Sequence, residues 1–100
     1  MKYNKLVRDK IPEYIKNKGG APITHVANDA EYWEKLKEKL FEETSEFNKE
    51  ESAEELADVL EVIEALLAYK GFSKEEIEIV KNKKAEERGK FNKRIILDES

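Results

Sequence analysis

Four carboxylates, Glu43, Glu46, Glu55 and Asp58, stand as two pairs, each pair three residues apart. On an α-helix that spacing puts both members on one flank, where side chains a turn apart meet. At about 100° per residue, the apolar side of the segment carrying the first pair is Trp33, Leu36, Leu40 and Phe47, with Phe41 at one margin and Glu43 abutting the other. In the segment carrying the second pair, Leu56, Val59, Val62, Ile63, Leu66 and Leu67 form the stripe. Glu55 falls inside that stripe and Asp58 at its edge, while Glu54, Glu61 and Glu64 point to the opposite side, as solvent-facing acids should. Burying an unpaired carboxylate costs several kcal/mol, so an acid on a core-facing stripe implies a base or a metal beside it. A capping box with Ser52 accounts for Glu55 alone. It accounts neither for Asp58 nor for the second pair on the preceding helix. Two acid pairs from two packed helices make an oxygen-only site of the kind that suits Mg²⁺ or Mn²⁺ and not zinc or copper.

The elements that must position these acids are marked by capping patterns in which a short polar residue is followed three positions later by Glu: Asn28 with Glu31, Ser52 with Glu55, Ser73 with Glu76. Helices are expected over roughly residues 29–49, 53–70 and 74–88, the second and third stopped by Gly71 and Gly89. A shorter one is expected over about 8–18, with Pro12 in its first turn and Gly19-Gly20 at its end. The stretch from Ala21 to Asn28 and the tail from Lys93 to Ser100 are too short or too β-branched for helix and are expected to be extended. Two long helices joined by a short turn should lie antiparallel as a hairpin. The fold class is therefore all-α, a helical hairpin or bundle of about four helices.

Composition limits the alternatives. One hundred residues, 39% hydrophobic, suffice for one domain with a modest core. Residues 31–64 hold thirteen acids and four bases, a net of −9 within a chain whose total is −4, so the flanks are net basic. A nucleic-acid binder should carry a dominant basic face, which an acidic centre between scattered Lys and Arg does not provide. There is no cysteine for a disulfide or thiolate site, no apolar run long enough to span a bilayer and no apolar stretch of the signal-peptide kind near Met1. The expected address is cytoplasmic. His25 is the only histidine, so a nucleophile–base pair is not indicated and His25 is expected to be structural or incidental. Trp33, Phe41, Phe47 and Phe72 are expected in core or interface.

The pattern Glu42-Glu43-Thr44-Ser45-Glu46 followed by Glu55-Leu56-Ala57-Asp58 resembles the all-alpha nucleoside triphosphate pyrophosphohydrolases, which include the MazG proteins, the dimeric dUTPases and the phosphoribosyl-ATP pyrophosphohydrolases. The opening from Tyr3 to Ile15, YNKLVRDKIPEYI, together with Glu86-Glu87-Arg88-Gly89-Lys90-Phe91, is similar to a small MazG-like house-cleaning branch of that superfamily. Lys90 stands where that branch often has a second glycine.

The resemblance implies a Mg²⁺-dependent cut between the α and β phosphates that releases a nucleoside monophosphate and pyrophosphate. It implies Glu43, Glu46, Glu55 and Asp58 as metal ligands, with Glu42 as a possible ligand of another ion. Glu42 or Glu46 is the candidate general base. Four carboxylates and a triphosphate repel each other, so substrate binds only through bridging cations. Phosphates beyond the metal's reach need bases, which Lys5, Arg8, Lys10, Lys83, Lys84 and Arg88 supply, with Arg8, Lys84 and Arg88 favoured. A homodimer or homotetramer is expected, because a hairpin facing an acidic cleft leaves too little chain to cover both long helices. The alternatives are a phosphoribosyl-ATP pyrophosphohydrolase with the same chemistry, or a non-enzymatic cation-binding helical regulatory module.

Overall fold

Asn28, Ser52 and Ser73 each begin a helix, their side chains accepting hydrogen bonds from the backbone amides of Glu31, Glu55 and Glu76 at 2.9, 3.2 and 3.0 Å. The computed structural model describes residues 3–100, in which α1 spans Ile11–Asn17, α2 Asp29–Glu50, α3 Ala53–Lys70 and α4 Lys74–Arg88, with no strand among the described residues. The chain is all-α. Only Ser73 has a complete capping box, because there alone the Glu76 carboxylate returns to the capping residue's amide. Glu31 turns instead to His25, 2.9 Å away, so the sole histidine ties the preceding loop to the start of α2. The Glu55 carboxylate forms no return bond to Ser52, and the expected box is half a box.

α1 is shorter than the spacing of Pro12 and Gly19 suggests. Residues 8–10 form a turn in which the Ile11 amide donates to the Arg8 carbonyl at 3.1 Å. A helix begun at Arg8 would place Pro12 in its interior, with the ring against the carbonyl four residues back, which is that same Arg8 carbonyl. Gly71 closes α3 in the left-handed region at φ 74°, as expected. α2 is closed by Glu51, a left-handed residue with a side chain (φ 44°), whose amide reaches the Phe47 carbonyl. Glu51 and Ser52 alone then join α2 to α3.

So short a connection forces α2 and α3 antiparallel, and the cross-contacts agree. Trp33 stacks on Tyr69 with ring centroids 5.0 Å apart at one end of the hairpin, and Glu43 meets Asp58 nearer the other. Among the described residues the buried apolar side chains are Leu36, Val59 and Val62, all on the facing sides of these helices. Trp33, Leu40, Phe47, Leu66 and Leu67 are half-buried around them, whereas Leu56 and Ile63, expected within the stripe, are exposed, and so are Phe41 and Phe72. α4 is exposed along nearly all its length, attached to the hairpin at its start by Lys74 on Glu64. No helix among the described residues is long and apolar enough to cross a membrane.

The outline is correspondingly open. The radius of gyration is 17.7 Å, against about 13 Å for a compact domain of this length. The accessible surface is 9288 Å², whereas a compact monomer of this mass exposes about 5,900 Å².

Candidate metal centre

Glu43 sits on the α2 flank that turns toward α3, and helical spacing brings Glu55 and Asp58 to the facing flank. One carboxylate oxygen from each of the three lies within 4.8 Å of the others. Glu43 is buried, which is unusual for an acid, and Glu55 and Asp58 are half-buried. Glu46, one turn beyond Glu43 and also half-buried, stays outside this group. Three of the four carboxylates singled out by spacing therefore converge, and the fourth adds its charge nearby.

The electrostatics follow from that crowding. The Glu55 carboxyl is raised above the ordinary glutamate range, first by partial burial and then by repulsion from Glu50, Asp58, Glu43 and Glu46. No base is paired with it among the described residues. Glu42 behaves oppositely: burial pushes it up, but the Lys5 hydrogen bond and the Lys39 and Lys5 charges outweigh burial and hold it below the ordinary range.

Cations already stand at the site. Lys39 Nζ lies 3.2 Å from Glu43 Oε1 and 3.6 Å from Glu42 Oε2, Lys5 Nζ 2.9 Å from Glu42 Oε1, and Arg8 Nη2 2.7 Å from Asp58 Oδ1. Arg8 was favoured from sequence, and it is at the acids. Lys39 was missed, although Glu42 and Glu43 follow it at the i+3 and i+4 positions where helical ion pairs form. Lys84 and Arg88 lie on exposed α4 and pair with no acid among the described residues. Within one chain they do not reach the carboxylate cluster. Glu61 is exposed, as expected, and also lines the same groove as Arg8 and Asp58, where its charge helps raise Arg8, behind the larger effect of the Asp58 hydrogen bond.

That groove, about 780 Å³, runs between the N-terminal segment and the hairpin. Leu6, Ile11, Leu36 and Val62 give it apolar walls, and Glu43 and Asp58 also line it. Its volume falls in the range of small-molecule sites.

The donor set fits a hard divalent ion. Octahedral oxygens at about 2.0–2.1 Å from Mg²⁺ stand about 2.9 Å apart when adjacent and about 4.2 Å when opposite, so oxygens within 4.8 Å of one another would draw together by up to about 2 Å to hold it.

No protein-family model matches the chain, and no solved structure matches it. A segment of 41 residues is 49% identical to an uncharacterized protein of Mycolicibacterium smegmatis (strain ATCC 700084 / mc(2)155). The match covers 41% of this chain and 42% of that protein, so the chain spans less than half the length of the relative it matches.

Proposed function

We propose that this chain is a Mg²⁺-dependent nucleoside triphosphate pyrophosphohydrolase that cleaves the bond between the α and β phosphates, serving as a nucleotide-pool house-cleaning enzyme. The observation that carries the proposal is the convergence of Glu43, Glu55 and Asp58 from two antiparallel helices beside a groove of nucleotide size. The motif resemblance supplies the reaction class. Glu43, Glu55 and Asp58 would hold the metal, with Glu46 one turn along the same flank of α2 as a fourth candidate ligand. When bound, a divalent cation neutralises phosphate charge and makes water a stronger acid.

The protein's own groups do the rest. Glu42 is tied to Lys5 and Lys39 and held below the ordinary range, which makes it a poor proton acceptor. Glu46 is the better general base, being on the same flank and outside those ion pairs. It takes the proton of the attacking water as the α–β bond breaks. Arg8 offers a planar fork of donors suited to phosphate oxygens. The apolar walls of the groove take the nucleoside.

A panel of nucleoside triphosphates and phosphoribosyl-ATP, incubated with Mg²⁺ and scored for pyrophosphate, tests this reading. Orthophosphate release would place the cut elsewhere, and turnover of phosphoribosyl-ATP alone would change the substrate. Mg²⁺ and Mn²⁺ should support activity and Ca²⁺ should do so poorly, because the larger ion accepts looser geometry and aligns water and phosphate less strictly. Equal rates with all three would remove metal-activated hydrolysis at this site.

The distance of Lys84 and Arg88 from the acids gives specific grounds for a second reading, a non-enzymatic cation-binding module whose phosphate side is never completed. Oligomerisation reconciles them with catalysis. With only three buried apolar side chains among the described residues, and with Leu56, Leu60, Ile63 and Phe41 exposed, the chain has the open surface of one part of a larger core. The chain is expected to be a homodimer or homotetramer in which Lys84 and Arg88 near the end of α4 in one copy approach the acids of another. Light scattering at micromolar concentration checks this, and a monomer would contradict it.

A further inference from the structure

The segment from Asn4 to Lys10 has almost no regular structure of its own, yet it is fastened across both helices of the hairpin. Lys5 reaches Glu42 on α2 and Arg8 reaches Asp58 on α3. Between these two tethers Leu6 is half-buried, and at the near end Lys35 Nζ donates to the Asn4 carbonyl at 2.9 Å. Asn4 itself is left-handed, at φ 45°. The segment therefore has a fixed end, an apolar anchor and two long cationic side chains lying on acids.

We propose that Asn4–Lys10 is a strap whose cations Lys5 and Arg8 serve as counter-ions for the acids of α2 and α3 while no divalent ion is bound, and pass to the substrate's phosphates when one is. The proposal rests on the metal-dependent reading given above. Asp58 is both the partner of Arg8 and one of the three converging carboxylates. A divalent ion there weakens its hold on Arg8, since two cations sharing one carboxylate repel each other. The triphosphate arriving with the metal brings new anionic oxygens to the same place. Exchange thus leaves no charge unpaired in either state. Both pairs are partly exposed, with side-chain exposures of 57% and 38% for Arg8–Asp58 and 41% and 33% for Lys5–Glu42, so each is weak enough to open readily. Lys39 is not equivalent, because it is fixed on α2 beside the acids it neutralises.

The signature is a pair of effects of opposite sign in one variant. Arg8→Ala frees Asp58 and should bind Mn²⁺, followed by its electron paramagnetic resonance, about two- to fivefold more tightly, the fold-change that corresponds to one exposed ion pair. The same variant should bind the Mg²⁺ complex of an α,β-methylene triphosphate at least about tenfold more weakly, through loss of a bidentate phosphate contact. Lys5→Ala should show the same pattern more weakly. Circular dichroism of both variants should match the unmodified protein, because neither side chain is buried. A fall in both affinities would assign Arg8 a purely structural role and overturn the strap. Unchanged Mn²⁺ affinity would also overturn it, leaving Arg8 as a phosphate contact alone. Absence of Mn²⁺ binding by the unmodified protein would overturn the metal-dependent reading itself and the strap with it.

Discussion

Replacing Glu55 with glutamine should lower pyrophosphate release by at least about a hundredfold while the metal-free protein melts at the same or a higher temperature. Groups that merely support metal ligands cost 10–100-fold when changed, so a direct ligand should reach at least the upper end. Stability moves the other way because Glu55 is the crowded member of the cluster, raised by partial burial and by Glu50, Asp58, Glu43 and Glu46. A carboxyl raised on folding binds its proton more tightly in the folded chain. Folding is then most favoured below the unfolded-state value, and that advantage is lost as pH rises through the folded-state value. Glutamine removes the neutral-pH penalty, so the gain in melting temperature should be present at pH 7 and should vanish as pH falls below the ordinary glutamate range, where Glu55 is protonated in both states. Since the Glu55 carboxylate makes no return bond to Ser52, capping does not confound the comparison. Glu54→Gln is the matched control. Glu54 is exposed in the same first turn of α3 and loses the same interaction with the helix dipole. Near-normal turnover in Glu55→Gln, with unchanged stabilisation by Mg²⁺, would remove Glu55 from the site.

Leu36→Ala should be the most damaging apolar change. Leu36 is the one fully buried large side chain among the described residues, 1% exposed, and the core it anchors there otherwise consists of Val59 and Val62. Truncating a buried leucine to alanine costs about 2–5 kcal/mol through lost transfer energy and the cavity left behind. A domain of this length has about 5–15 kcal/mol in total, so the variant should lose a large share of it. Taking about 3 kcal/mol, the melting temperature should fall by about 12–24 °C. Thermal melts followed by circular dichroism check this. Leu6→Ala, at a half-buried anchor, should cost less, and a fall below about 4 °C for Leu36→Ala would mean that the hairpin seam is not the core.

The helices were legible because their starts are written locally. Asn28, Ser52 and Ser73 cap where expected, and Gly71 ends α3 where a left-handed residue is needed. The end of α2 was less so, because Glu51 takes the left-handed conformation without being glycine. Pro12 does stand in the first turn of α1, as expected, but the helix starts at Ile11 and not near Arg8, because a start at Arg8 would have put the proline ring against the Arg8 carbonyl. The carboxylate cluster could be read from i, i+3 spacing on two helices, since spacing along a helix converts directly into a flank. What spacing within a helix does not contain is the path of the irregular chain. Lys5 and Arg8 lie 37 and 50 residues from the acids they meet, and no local pattern encodes that closure. Glu61 is exposed, as the helical wheel expected, yet it lines the groove that the N-terminal segment forms there, which the wheel does not contain.

The most direct measurement is the position of the metal. A crystal of the protein grown with Mn²⁺ and an α,β-methylene nucleoside triphosphate, with the ion located by its anomalous scattering, should place Mn²⁺ between α2 and α3, with oxygens of Glu43, Glu55 and Asp58 all at roughly 2.0–2.3 Å. An ion held elsewhere, or none at millimolar Mn²⁺ with nucleotide bound, would contradict the three-carboxylate centre.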